Sequence, residues 1–349
     1  MKTLQQVEPR GDVNLLPGDA SAEHIISQPG SYFLSADIVA SQVKDGILIT
    51  SNDVSLDLRG FRLDGTTKGL TGIKIFGGSQ SLLKRCTVRN GIVTGWKNDG
   101  ITATLASQCM FRDLILSANM GAGLQAVGAL ITNCVGGDNG GSVIVAQGST
   151  ISDCVCESPT TGGAAAIDAT ESKVSHCTIP NPGFGTLGLK LISSTATECV
   201  IAHCTTGLDA TKSLVTSCHL SHYGFGIHAS ESQIRSNFLT TGQVVATGIQ
   251  AESDCAITDN MLESNRIGIS ILGTLCRIER NHVSMAGFLA PDGVGIKAAD
   301  IDPGSNILIL NNVTGRSVGF GVEIQVDGDD YAPGGGIGAP ADRNYFQPK

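Results

Sequence analysis

A glycine followed by an alternating apolar stretch recurs along this chain at Gly72 (GIKI), Gly100 (GITA), Gly123 (GLQA), Gly141 (GSVIVA), Gly163 (GAAAIDA), Gly188 (GLKL) and Gly207 (GLDA). It continues at Gly226 (GIHA), Gly248 (GIQA), Gly268 (GISI), Gly295 (GIKA) and Gly321 (GVEI), with a mean spacing of 22.6 residues. Each unit goes on to a second segment of the form apolar-x-x-Cys/Asn-x-apolar, as in Val174, Cys177 and Ile179 or Ile257, Asn260 and Leu262. Both segments alternate with period two, the signature of short strands. Turn signals arrive too often for helices of ten or more residues. A unit of two or three short strands cannot bury its apolar side alone, so successive units must stack. The spacing therefore predicts an all-β, single-stranded parallel solenoid of about twelve turns, each strand ~4.8 Å from the next. Ankyrin, TPR and leucine-rich arrays are excluded, because the unit has no helix-forming half.

Composition agrees. Glycine makes up 45 of 349 residues against 11 prolines, while apolar residues reach 41% and charged residues only 16%. That combination excludes disorder and collagen. The formal charge of -9 repels phosphate backbones, so no nucleic-acid partner is expected. Lys84, Arg85 and Arg89, the densest basic group, are taken as a solvated turn. No stretch approaches the ~20 apolar residues of a membrane span, which excludes helical insertion. The polar start, Met1 to Arg10, lacks an apolar leader core, so the protein is either cytosolic or written without its leader.

The 11 cysteines include no CxxC and no Cys/His pair at zinc spacing, so no metal site is expected. Cys86, Cys134, Cys154, Cys177, Cys199 and Cys218 share one slot of the second segment, and Asn237, Asn260 and Asn281 continue it. Stacked in a solenoid they form a ladder. Equivalent side chains ~4.8 Å apart lie beyond the ~3.8 Å between bridged Cβ atoms, which predicts buried thiols rather than disulfides. Three segments follow: an N-terminal cap at 1–45, the solenoid at 46–325 and a Gly/Pro-rich tail at 326–349.

QPGSYFLSADI, then DGILITSNDVSLDLRGFRLDG at 45–65, then LLKRCTVRNGIVTGWKNDGI at 82–101, followed by the GI-x-A turns, resemble right-handed parallel β-helix proteins of the pectin-lyase-like superfamily. The likeness covers Ser27 to Thr314. It implies a right-handed parallel β-helix, a polysaccharide partner, and a secreted or surface protein whose leader has been removed. The superfamily spans lyases, hydrolases, epimerases, tailspikes and adhesins, so it does not fix an activity. The motifs implied for polygalacturonases are missing: Asn98-Asp99-Gly100 is a fragment of one, and Asp329-Asp330 lies in the tail. Nor does an arginine occupy the outward column described next, as a pectate-lyase-like site implies.

In G-apolar-x-apolar the x side chain points outward. Turn by turn this column gives Lys74, Thr102, Gln125, an irregular turn, Asp168, Lys190, Asp209, His228, Gln250, Ser270, Lys297 and Glu323. Asp168, Lys190, Asp209 and His228 form its sharpest polar group and are the candidate catalytic residues. His222 and Tyr223 in HLSHYGFG, with Gln250, are the candidate substrate-binding residues. Asp168 and Asp209, two rungs or ~9.6 Å apart, reach the outer limit for inverting glycoside hydrolysis. Alternatively, His228 oriented by Asp209 serves as a base beside a uronate carboxylate, with Lys190 holding the developing charge. A third reading is a solvated ladder of opposite charges. A polysaccharide-binding or polysaccharide-cleaving protein and a noncatalytic adhesive rod thus both fit. Trp96 is the one tryptophan, a poor supply of stacking surface. His176, His203 and His282 are expected to be hydrogen-bonded turn residues. Asp12, Asp19, and Asp327 with Asp329 suggest calcium but lack calcium-loop spacing, so no cofactor is expected, with calcium as the alternative.

Overall fold

A computed structural model describes residues 10–78, 82–157, 159–160, 162–180, 183–241, 245–285, 294–298, 308–310, 313–316, 322–326 and 329–331. The fold is an all-β parallel solenoid of about 12 turns. It divides into two compact units, Met1–Thr178 and Ile179–Lys349. Among the described residues the helical content is one 3-10 turn, Val13–Leu15, and no helix is long and apolar enough to cross a membrane.

Each unit carries three parallel ladders. On the first face of the first unit, Ala22–Ile26, Asp45–Ile49, Ile73–Ile75, Ile101–Ala103, Leu124–Val127, Ile144–Gln147 and Ala165–Thr170 pair in succession. In the second unit the same face runs from Gly183–Ile192 through Cys204–Thr211, Phe225–Ser230, Thr247–Ala251 and Ile267–Ile271 to Val294–Ala298 and Val322–Val326. The second face there comprises strands such as Leu214–Thr216, Gln233–Arg235 and Ala256–Thr258. The third comprises Val200–Ala202, His219–Ser221, Phe238–Thr240, Met261–Asn265 and His282–Met285. Parallel pairing begins ahead of residue 46, since Ala22–Ile26 pairs with Asp45–Ile49 and Gly30–Phe33 with Val54–Asp57. At the other end Asp329–Tyr331 folds back antiparallel on Val322–Val326, and the tail beyond Tyr331 lies outside the described residues.

The glycine period has a steric cause. A Cβ on Gly226 would sit 2.5 Å from the carbonyl oxygen of Gly248, and on Gly248 2.6 Å from that of Gly268. The chain turns so tightly into the first face that a side chain there meets the next turn's backbone. Ile73, Ile101, Leu124, Ile144 and Ile167 stack inward and are buried. Each contributes on the order of 1.5–3 kcal/mol through removal from water. Register corrects two of the sequence assignments. Val143 and Ala166, not Gly141 and Gly163, continue the glycine column, because Leu124 pairs with Ile144 and Ile144 with Ile167. At the far end Lys297 pairs with Gln325 rather than Glu323.

Corners are made by non-glycine residues in the left-handed region, including Asn133, Asp153, His176, Ser217, Ser236 and Asp259. The residue that follows each turns inward and bonds to backbone. Cys134, Cys154 and Cys177 donate Sγ–H to the carbonyls of Thr132, Ser152 and Ser175. In the second unit Asn237 donates Nδ2–H to Asn260 Oδ1 at 2.9 Å, and Asn260 donates likewise to Asn281 at 2.9 Å. The thiol and amide ladder is therefore real, with one correction. Cys86 sits at a different corner, stacked with Cys109, because Thr87 pairs with Met110. Serines continue that second column: Ser149 and Ser172 in the first unit, then Ser194, Ser213 and Ser232 in the second. Cys255 and Cys276 end it. All eleven cysteines are buried thiols.

Candidate functional site

The outward column of the first face is where the alternation places it. In the first unit Lys74, Thr102, Gln125, Val145 and Asp168 stand on successive strands, Val145 filling the irregular turn. In the second unit Lys190 pairs with Asp209, Asp209 with His228, His228 with Gln250, and Gln250 with Ser270. Lys190, Asp209 and His228 are thus consecutive rungs, whereas Asp168 belongs to the first unit.

His228 is the centre of this group. Its Nδ1 lies 3.0 Å from Asp209 Oδ1, and its Nε2 lies 3.1 Å from Glu252 Oε1. The ring is about one-third exposed. The hydrogen bond to Asp209 raises the imidazole pKa, burial opposes this, and the charges of Asp209 and Glu252 add to the rise. With a carboxylate at each nitrogen, the imidazolium is the form that satisfies every contact. Glu252 escaped the sequence reading, although period two pointed to it: Gln250 faces outward, Ala251 inward and Glu252 outward again. Phe225 escaped too. It is 42% exposed on the strand that carries His228, about 10 Å along it.

Two of the proposed binding residues stand elsewhere. Tyr223 is in the core at 1% exposure, and its hydroxyl donates to Asn265 Oδ1 at 2.9 Å. Burial drives its pKa far up, so it is a core residue and not a substrate contact. The chain at HLSHYGFG turns inward at Tyr223 because the preceding His222 adopts the left-handed corner conformation, φ 52°. His222 remains exposed and stacks on His203, centroids 4.6 Å apart. Both are corner residues, as is His176, whereas His282 lies exposed on a third-face strand. Trp96 is fully buried and donates Nε1–H to the carbonyl of Leu63.

Among the described residues no group of three His, Cys, Asp or Glu side chains is placed to hold a metal ion. Asp12 accepts from the backbone N–H of Asn14, and Asp19 from those of Ser21 and Ala22, so both serve local turns. Asp327 lies outside the described residues. Asp99 accepts from Thr102 Oγ1 and the N–H of Ala122, a structural use of the Asn-Asp-Gly fragment.

Residues 32–179 match a family model described as a right handed beta helix region. That segment lies within a chain whose fold is that of a right-handed parallel β-helix. Among solved structures, this β-helix is similar in fold to a mutant tailspike protein of E. coli bacteriophage HK620 in complex with a hexasaccharide, at 10% identity and TM-score 0.52, covering 84% of this chain and 71% of that one. The A-module of Azotobacter vinelandii mannuronan C-5 epimerase AlgE4 gives 14% identity and TM-score 0.49, covering 85% and 90%. A mannuronic acid specific polysaccharide family 6 lyase from human gut microbiota gives 13% and 0.49, covering 90% and 83%. No curated protein matches by sequence.

What the first face of this β-helix can do follows from its charges. Lys190, Asp209, His228 and Glu252 alternate in sign, and His228 is held between Asp209 and Glu252. They offer sugar hydroxyls both acceptors and donors at the spacing of the rungs. Proton abstraction is a poorer fit, because an imidazolium bonded at both nitrogens has no free lone pair.

Proposed function

We propose that this β-helix binds a polysaccharide along the first face of its second unit, in a secreted or surface setting. Lys190, Asp209, His228 and Gln250 supply the polar contacts, and Phe225 supplies apolar surface. The observation that carries this reading is the clamping of the partly exposed His228 ring between Asp209 and Glu252. Side chains already held in one geometry lose little freedom when a ligand arrives, which favours affinity. The ladder also repeats at ~4.8 Å, close to the length of one pyranose ring, so successive sugars meet successive rungs. The HK620 tailspike, of the same fold, was solved with a hexasaccharide, which supports a saccharide ligand. Binding is preferred to lyase or hydrolase chemistry because His228 is committed to two carboxylates.

Native affinity electrophoresis in gels containing pectate, alginate or neutral glycans tests this. Retention in at least one gel is expected, weakened about tenfold, ~1.4 kcal/mol, by Asp209→Asn or His228→Ala with the circular dichroism spectrum unchanged. Retention by none of the polymers, or undiminished retention of both variants, defeats the proposal. Release of unsaturated products or new reducing ends from any of them would replace binding with cleavage.

A further inference from the structure

The outward positions of an exposed sheet ordinarily carry polar side chains, and the first-face column from Lys190 to Ser270 does. The third face differs. In the second unit Val200, His219, Phe238, Met261 and His282 occupy one outward column on five successive strands. Val200 is 43% and Met261 41% exposed, and the rings of His219 and Phe238 contact each other with centroids 4.9 Å apart. The first unit repeats the pattern independently, with Ile92, Ile115, Val135 and Val155 aligned on the same face and Ile115 and Val135 nearly half exposed. A column of this kind recurs in both units.

Its dimensions select the occupant. Five rungs make a strip about 20 Å long and one row of side chains wide, on the order of 200 Å². A stable protein partner covers roughly 800 Å² on each side, so neither a second copy of this chain nor another globular protein is held by the strip itself. A slender chain fits. Beside the apolar column runs a second outward column of Ala202, Ser221, Thr240, Glu263 and Ser284, mostly small and hydroxylated. Beyond the corner, Arg280 is paired with Asp259 and Arg277 with Glu279. Those two cations are thus neutralised, and Glu263 together with the net charge of -9 disfavours an acidic ligand.

We propose that the third face of the second unit is a second glycan site, taking a neutral polysaccharide along its length. The C–H faces of the sugar rings lie on His219, Phe238 and Met261, and their hydroxyls meet Ser221, Thr240 and Ser284. This site is separate from the first face and does not depend on the reading given for it. Affinity electrophoresis of the full chain in galactomannan and in hydroxyethyl cellulose tests it, with light scattering on the same samples. Retention in one of these gels is expected, reduced about tenfold by Phe238→Ser and by Met261→Thr and kept by Phe238→Tyr. Loss of neutral-glycan retention in Asp209→Asn but not in Phe238→Ser would assign all binding to the first face and overturn this proposal. So would the absence of retention in both gels, or a wild-type dimer that Phe238→Ser dissociates, since a second copy would then cover the strip.

Discussion

His228 Nδ1 lies 3.0 Å from Oδ1 of Asp209, its register partner one turn earlier. The contact predicts where the ring titrates. A histidine in solution has a pKa of about 6.5, and the hydrogen bond to Asp209 raises it in the folded protein. A proton-detected titration of the imidazole should place its midpoint above that value, and Asp209→Asn should lower it. The stability consequence has a definite sign. Because the folded pKa is the higher, the stabilisation is complete below about pH 6.5 and disappears as pH rises through the folded pKa. The melting temperature of the wild type should therefore exceed that of His228→Gln at mildly acidic pH, with the gap closing toward alkaline pH. A gap that widens with pH would show that His228 is neutral in the ladder.

Asn260 links two turns of the amide ladder. Its Oδ1 accepts from the backbone N–H and the Nδ2 of Asn237, and its own Nδ2 donates to Asn281 Oδ1 and to the carbonyl of Ile234. Asn260→Ala leaves buried donors and acceptors unmatched, at about 1–3 kcal/mol for each. Asn260→Cys should cost less, because cysteine occupies this column at Cys199 and Cys218, where Sγ bonds to the carbonyl two residues back. Urea unfolding of both variants followed by circular dichroism checks the order. Equal midpoints for wild type and Asn260→Ala would mean that the ladder adds nothing.

The fold could be read from the chain because its cause is local. Glycine recurs where a Cβ would strike the next turn, and that requirement prints the period onto the sequence. Register was harder. Where the turn length changes, Val143 and Ala166 take the glycine position, and the nearby Gly141 and Gly163 mislead. Cys86 was misassigned because both corners use the same device, a left-handed residue followed by an inward Cys, Ser or Asn. Spacing alone cannot tell one corner from the other. At the candidate site, Lys190, Asp209 and His228 were found because alternation fixes which residues point out. Tyr223 was named but is buried in the core and Glu252 was missed, since burial at a corner and diagonal contact between neighbouring strands depend on turn geometry.

The glycine column makes a steep steric prediction. In Gly226→Ala the new methyl would lie 2.5 Å from the Gly248 carbonyl oxygen and 2.7 Å from Leu239 Cδ2. Both neighbours belong to the packed interior, so the expected loss is about 1–3 kcal/mol or more. Gly162 is the control, for nothing lies within 4 Å of its would-be Cβ. Gly162→Ala should melt within a degree or so of the wild type, in keeping with surface substitutions costing at most ~0.5 kcal/mol. Similar melting of the two variants would remove the steric explanation of the repeat.

The buried thiols give the last prediction. Cys204, enclosed by the core, has its pKa pushed up to about 12 by burial. Cys154, stacked against Cys134, is raised to about 12, first by its hydrogen bond to that thiol. Alkylation requires thiolate and access, and none of the 11 cysteines offers both. Iodoacetamide at mildly alkaline pH should therefore leave the folded protein unlabelled by mass spectrometry and label all the cysteines after denaturation. Mild oxidants should produce no stacked-turn disulfide, because rungs ~4.8 Å apart hold the Cβ atoms beyond bridging distance. Labelling of Cys134, Cys154 or Cys177 in the native state would show that the corner opens and that the ladder does not hold it shut.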